Sequence, residues 1–276
     1  MLLSLCNEVL RHLPLPQQCA LAAKLGYGGL EVAPFTLAED PTRLPAVDLA
    51  MIRRVVEDHG LVVTGLHWLL VAPAGLSITT DDAALRQRTT DVMCFMADAC
   101  ATLGGSVLVH GSPGQRALAH AASPKAARAN AMKCLAAAGE AAAKAGVTYC
   151  LEPLSPRETD FINTVADAVT LVEEINLPGL RTMVDTSAAG LSESEPVAAV
   201  IRRWWPTGRL AHVQLNDTNR RAPGQGDNRF GPILAALKDV GYGGPVAVEP
   251  FVYEPDGPTT AAVAAGYLRG IQEGLA

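Results

Sequence analysis

Apolar positions fall in short β-rich runs separated by longer stretches of helical spacing, from one end of the chain to the other. The runs at 2–6, 28–32, 61–67, 105–110, 147–152, 180–185, 210–215 and 245–249 read as eight strands. Helix signals fill the gaps. Asp81 or Asp82 can cap a segment whose Leu85, Val92, Met96 and Leu103 lie near helical spacing, and Ser123-Pro124 supplies an N-cap followed by Pro at the first helical position. Ser192-Glu-Ser-Glu195 has the form of a capping box. Gly26, Gly60, Gly104, Gly146 and Gly241 each stand just before a strand, where a left-handed residue closes the preceding helix.

No Ser/Gly/Pro-rich linker interrupts this alternation, which predicts one domain over 1–276. A weak internal repeat agrees: Gly26-Tyr-Gly-Gly-Leu-Glu-Val-Ala-Pro-Phe35 resembles Gly241-Tyr-Gly-Gly-Pro-Val-Ala-Val-Glu-Pro-Phe251. The expected fold is α/β, a single (β/α)8 TIM barrel with eight parallel strands inside outer helices, and 276 residues suit its usual length of about 250. An open doubly wound sheet is the weaker reading, since no G-x-G-x-x-G follows the first strand.

In such a barrel the chemistry sits at the C-terminal strand ends. Those ends carry Asn7/Glu8, Glu31, His67, His110, Glu152, Asp185, Gln214 and Glu249, all polar. Glu152, Asp185, Gln214 and Glu249 follow one another by 33, 29 and 35 residues, about one βα unit each, so they occupy neighbouring strands and converge above the barrel mouth. Three carboxylates brought together repel unless a cation lies between them, and an oxygen-rich set suits Mn²⁺ or Mg²⁺ better than a structural zinc. The bland alternative is three separate loop carboxylates capping the following helices.

Charge and composition narrow the class. The formal net charge is −6 and no dense Lys/Arg run exists, which removes the electrostatic footprint of a nucleic-acid binder. Six cysteines without a C-x-x-C pair disfavour a zinc knuckle, a redox motif or a disulfide scaffold. The N-terminus has no basic leader, and its apolar stretch is cut by Asn7 and Glu8, so neither a signal peptide nor a membrane span is expected. A cytoplasmic enzyme with a small-molecule substrate follows as the expectation.

Several stretches then carry a resemblance that covers essentially the whole chain. They are Leu30-Glu-Val-Ala-Pro34, Gly65-Leu-His-Trp68, Leu151-Glu-Pro-Leu-Ser-Pro-Arg-Glu-Thr159 with Asn163-Thr164, Val184-Asp-Thr186, His212-Val-Gln-Leu-Asn-Asp217 with Asn219-Arg220, Pro223-Gly-Gln-Gly226, and Val248-Glu-Pro-Phe251. In these the chain resembles the xylose-isomerase-like sugar isomerase/epimerase barrels, and among them the D-tagatose/D-psicose 3-epimerase branch. The resemblance implies that Glu152, Asp185 and Glu249 are metal ligands and that Glu152 and Glu249 also move the proton on opposite faces of a keto-sugar. It further implies that Glu158 and Arg220 hold substrate hydroxyls and that His67 and Trp68 face the substrate.

Two positions depart from that pattern. Gln214 stands where the branch has the second histidine of His-x-His, with His212 as the first; alternation puts both on one strand face, so either can approach the metal. Gln214 is preferred as fourth ligand, because a carboxamide oxygen suits a hard cation, and His212 is then assigned to the substrate. Ala188 replaces a substrate-binding histidine. The resulting expectation is one divalent cation, Mn²⁺ first and Mg²⁺ or Co²⁺ as alternatives, serving proton abstraction alpha to a carbonyl through a stabilised enediolate. The alternative is a dehydratase or lyase of a keto-cyclitol or keto-acid using the same site. Endonuclease IV shares the barrel, but its trinuclear zinc site needs a histidine at Ala188 and further ones near Arg229. A homodimer or homotetramer is common in the family the chain resembles.

Overall fold

A computed structural model describes residues 1–275 as one closed barrel. The elements in chain order are β1 (Leu3–Cys6), α1 (Leu15–Leu25), β2 (Gly29–Val32), α2 (Ala46–Asp58), β3 (Val62–Leu66), α3 (Ala83–Leu103), β4 (Val107–His110), α4 (Pro124–Ala145) and β5 (Thr148–Leu151). There follow α5 (Val165–Ile175), β6 (Leu180–Asp185), α6 (Thr186–Ser192), α7 (Val197–Trp204), β7 (Leu210–Leu215), α8 (Phe230–Asp239), β8 (Val246–Val248) and α9 (Gly257–Gly274). Each strand pairs in parallel with the next, and β8 closes on β1 with Leu3 opposite Val246. All eight strands expected from the apolar runs are present, β6 and β7 with the expected bounds and the other six trimmed by a residue or two at one or both ends. Among the described residues, no helix is long and apolar enough to cross a membrane.

Local chemistry accounts for the element borders. Asp82 begins α3 by accepting from Ala84 N and Leu85 N at 2.8 and 3.1 Å, and Ser123 begins α4 by accepting from Ala126 N at 3.1 Å. Gly26, Gly104 and Gly146 end α1, α3 and α4 at φ of 88°, 85° and 73°, a region open to Gly without a Cβ clash. The stretch Ser192-Glu-Ser-Glu195 is not a capping box. Asp185 has already started α6, which ends at Ser192, and Pro196 occupies the N-cap of α7. The true box is Thr164 with Asp167 at the start of α5.

The main core lies between the strands and the helical shell, with Leu5, Leu30, Leu108, Leu151 and Leu215 completely buried. A small separate cluster joins Val107 and Val109 to Cys150 and Met183. Cys150 and Met183 lie two residues before Glu152 and Asp185, hence on the same strand face. The alternation that buries these apolar groups therefore aims the two carboxylates toward the same side. His110 has the opposite parity from Val109, and its Nδ1 is bonded to the Tyr149 hydroxyl at 2.7 Å, away from that cluster.

Candidate active site

Four strand ends build the site. Glu152 directly follows β5, and its backbone N–H donates to His110 O at 3.2 Å. Asp185 is the last residue of β6 and also the N-cap of α6: its Oδ1 accepts from Ala188 N at 2.7 Å, while the buried Oδ2 has no protein partner. Glu249 directly follows β8; its N–H donates to Leu215 O at 3.2 Å, its carbonyl accepts from Asn216 Nδ2 at 3.0 Å, and its buried Oε2 is unpartnered. Gln214 lies in β7 opposite Asp185, with Nε2 donating to Glu31 Oε1 at 2.7 Å and a buried Oε1 left without a donor.

Oxygen atoms of Glu152, Asp185 and Glu249 all lie within 4.8 Å of one another, and the three residues are only 3–4% exposed. Burial, together with the neighbouring carboxylates, pushes Glu152 and Glu249 well above the ordinary range, and burial drives Asp185 up to about 7. Three clustered buried carboxylates, two of them with an unpartnered oxygen, and a buried amide oxygen that also lacks a donor are an unfavourable arrangement for the protein alone. A hard divalent cation would relieve the carboxylate cluster, so this oxygen-rich donor set fits such a metal.

The cavity above has a volume of about 200 Å³ and is lined by Glu152, Asp185, Glu158, Ser187, Arg220 and Phe251, among others. Glu158 is held by the Ser155 hydroxyl, which donates to Oε2 at 2.9 Å, and by Arg220, whose Nη1 donates to Oε1 at 3.1 Å. The Arg220 guanidinium also lies 4.4 Å from the centre of the Phe251 ring, and its carbonyl accepts from Phe251 N and Val252 N at 2.9 and 3.0 Å. The loops after β5, β7 and β8 are thereby latched together at one point. Trp68 meets Phe251 edge-on at 6.0 Å. Trp68 and Arg220 both sit at positive φ, 54° and 68°, a strained backbone state that concentrates at ligand-facing positions.

The two histidines expected to face the substrate do not line this cavity. His67 is fully buried and its Nε2 is 2.7 Å from Glu8 Oε2 and 4.0 Å from Glu249 Oε1. Burial alone would lower its pKa, but Glu8 holds it above the ordinary value. His212 is equally buried, with Nε2 2.7 Å from Glu31 Oε2. Both imidazoles thus lie against buried carboxylates, and neither lines the cavity.

Three contributors had no assigned role in the sequence reading. Glu31, completely buried in β2, contacts both His212 and Gln214; its signal was a carboxylate inside an apolar strand. Gly111 leaves the space taken by the Glu152 carboxylate, since a Cβ there would overlap Oε2. Arg116 is wholly buried and donates from Nη1 to the Glu152 carbonyl at 2.7 Å, pinning the end of β5. An isolated loop arginine gives no such signal in a sequence.

Comparison with known proteins places this geometry. The chain is 27% identical over 243 residues to the D-psicose 3-epimerase of Agrobacterium fabrum, covering 83% of this chain and 77% of that protein. It is 25% identical over 240 residues to the L-ribulose 3-epimerase of a Methylomonas species, covering 84% and 77%. The structure of D-psicose 3-epimerase with D-tagatose from Clostridium cellulolyticum superposes with a TM-score of 0.82 over 99% of both chains at 19% identity, a likeness of fold. The model of the family described as the xylose isomerase-like TIM barrel matches residues 19–271, and the chain belongs to that family.

Proposed function

We propose that the protein is a divalent-metal-dependent keto-sugar epimerase or isomerase that works by removing a proton alpha to a carbonyl. Its relatives are ketose 3-epimerases, and it is an enzyme of the isomerase/epimerase class. The observation that carries the mechanism is the buried triad of Glu152, Asp185 and Glu249, with oxygens within 4.8 Å and two of them unpartnered. Glu152, Asp185, Gln214 and Glu249 would hold the cation. When bound, it supplies a Lewis acid that polarises a carbonyl and acidifies the neighbouring C–H.

The chain's own groups do the rest. Glu152 and Glu249 directly follow strands β5 and β8, and, as the resemblance to the 3-epimerases implies, one carboxylate would take the proton and the other return it on the opposite face. Glu158, immobilised by Ser155 and Arg220, accepts from substrate hydroxyls, and Arg220 donates to them. Trp68 and Phe251 close the cavity and keep bulk water from the carbanionic centre. Asp185 spends one oxygen on α6, which fixes the direction of the other. With six free cysteines, five of them buried, the protein suits a reducing compartment such as the cytoplasm.

The dehydratase reading stays as the second, because Ala188 leaves a buried alanine where the 3-epimerase branch has an imidazole. Incubating Mn²⁺-loaded protein with ketoses, keto-acids and inososes in D₂O separates the two by proton NMR. Deuterium at one carbon of an intact skeleton is the expected result, whereas a vinylic signal selects elimination. Glu152→Gln and Glu249→Gln should each lose ~10²–10⁴-fold in exchange rate, the range for a missing acid or base. Exchange at near-normal rate in either variant would remove that residue from the proton path.

A further inference from the structure

We infer that Glu31 is the positioning residue that makes Gln214 a metal ligand, by holding its carboxamide nitrogen so that only the oxygen can face the cation. The inference rests on the reading of Gln214 as fourth ligand. A glutamine amide is ambiguous as a ligand, since half a turn about its last bond exchanges an oxygen donor atom for an NH₂ group that cannot bind a cation. The surroundings of the amide must therefore decide which atom points inward.

In β7 that decision falls to one carboxylate. Gln214 Nε2 donates to Glu31 Oε1 at 2.7 Å, and both residues are completely buried. Three further side chains that can donate lie near Glu31. His212 Nε2 lies 2.7 Å from Oε2, His67 Nδ1 is 3.8 Å from Oε1, and the Cys6 thiol donates to Oε1 at 3.7 Å. An ionised carboxylate among donors accepts and cannot donate, so the flipped amide would set two oxygen acceptors against each other in a dry interior. The unflipped amide leaves Oε1 buried and without a donor, beside Asp185 in the strand register. Glu31 also draws β1, β2, β3 and β7 together, because Cys6, His67, His212 and Gln214 all meet it. Groups that orient a ligand in this way typically change metal affinity 10–100-fold when removed.

The test exchanges the two chemistries. Mn²⁺ affinity is titrated by electron paramagnetic resonance, coordinated water is counted by proton relaxation, and the melting temperature of metal-free protein is followed in parallel. Gln214→Ala should weaken Mn²⁺ and add a water. Glu31→Leu, which removes the acceptor, should weaken it ~10–100-fold. Gln214→Glu alone places two carboxylates face to face and should also bind poorly. The double variant Glu31→Gln with Gln214→Glu should restore affinity to within a few fold of wild type. Its new amide in β2 can accept from His212 and donate to one oxygen of the carboxylate introduced in β7, while the other oxygen of that carboxylate faces the metal.

A role in packing alone would not be rescued by that exchange. If the double variant binds no better than Gln214→Glu, the inference is overturned. It is overturned separately if Gln214→Ala weakens Mn²⁺ but Glu31→Leu leaves affinity and water count unchanged. An unchanged affinity in Gln214→Ala would remove Gln214 from the metal site and the inference with it, while the D₂O exchange still tests the epimerase reading on its own.

Discussion

Ala188 donates its backbone N–H to Asp185 at 2.7 Å and is 3% exposed, so it touches a carboxylate of the candidate metal site while contributing only a methyl group there. A pocket merely enlarged at one point discriminates weakly, whereas one built to hydrogen-bond a group of its own substrate strongly rejects analogues that leave that site unpaired. Free fructose, psicose and tagatose should therefore be poor substrates, by ~10 to ~10⁴-fold against the natural one. Measuring 3-epimerisation of psicose and fructose by wild type and Ala188→His checks this: the variant should gain, and efficient wild-type turnover would defeat the idea. At this scale the sequence was most legible where charge contradicts context. Glu152, Asp185 and Glu249 each end an apolar run, and together with Gln214 they are spaced by about one βα unit, which puts the four at the ends of consecutive strands β5 to β8. His67 and His212 were harder, because strand position shows where a side chain starts but not which carboxylate will engage it; Glu8 comes from the turn after β1 and Glu31 from β2.

The ends of β4 and β5 show how an element creates room for a functional group. Gly111 follows β4, and a Cβ there would overlap Glu152 Oε2. The overlap involves the far end of a flexible side chain, so the backbone need not move, but the carboxylate must. Gly111→Ala should accordingly lower Mn²⁺ affinity ~10–100-fold while leaving the melting temperature of metal-free protein within a few degrees of wild type. Unchanged affinity would mean that Glu152 does not need its present position to bind. Helix borders were legible wherever a single residue decides them, as Asp82, Ser123 and the positive-φ glycines do. Ser192-Glu-Ser-Glu195 misled because a capping box needs a helix beginning at its first residue, and here one ends there. The competing N-cap, Asp185, looked like chemistry alone, yet it serves the helix with one oxygen and the site with the other.

For the whole molecule, the closed sheet was legible because eight runs and their spacing leave few other ways to bury that much apolar surface, and β8 does return to β1. What the barrel costs is the desolvation of its carboxylates, and this makes stability depend on pH and metal together. Asp185 is pushed up to about 7 by burial, and Glu152 and Glu249 well above the ordinary range by burial and the neighbouring carboxylates. In the unfolded chain these groups titrate near ~4, so between ~4 and ~7 the metal-free fold binds more protons than the unfolded chain. Raised carboxyls therefore contribute a stability that is present at low pH and lost as pH rises through the folded values. Cation binding needs the same groups ionised, so it opposes this loss and releases protons. The melting temperature of metal-free protein should fall between pH 5 and 8, as ~2 units of that range overlap the titration of these carboxyls. The gap to Mn²⁺-loaded protein should widen over the same range, since ligand at about 100 times its Kd stabilises by about 2.7 kcal/mol only where the binding form exists. Calorimetric scans with Mn²⁺ and with a chelator across that range provide the measurement. A gap that stays constant with pH would show that the three carboxylates are already ionised without the cation, and that something other than a metal balances their charge.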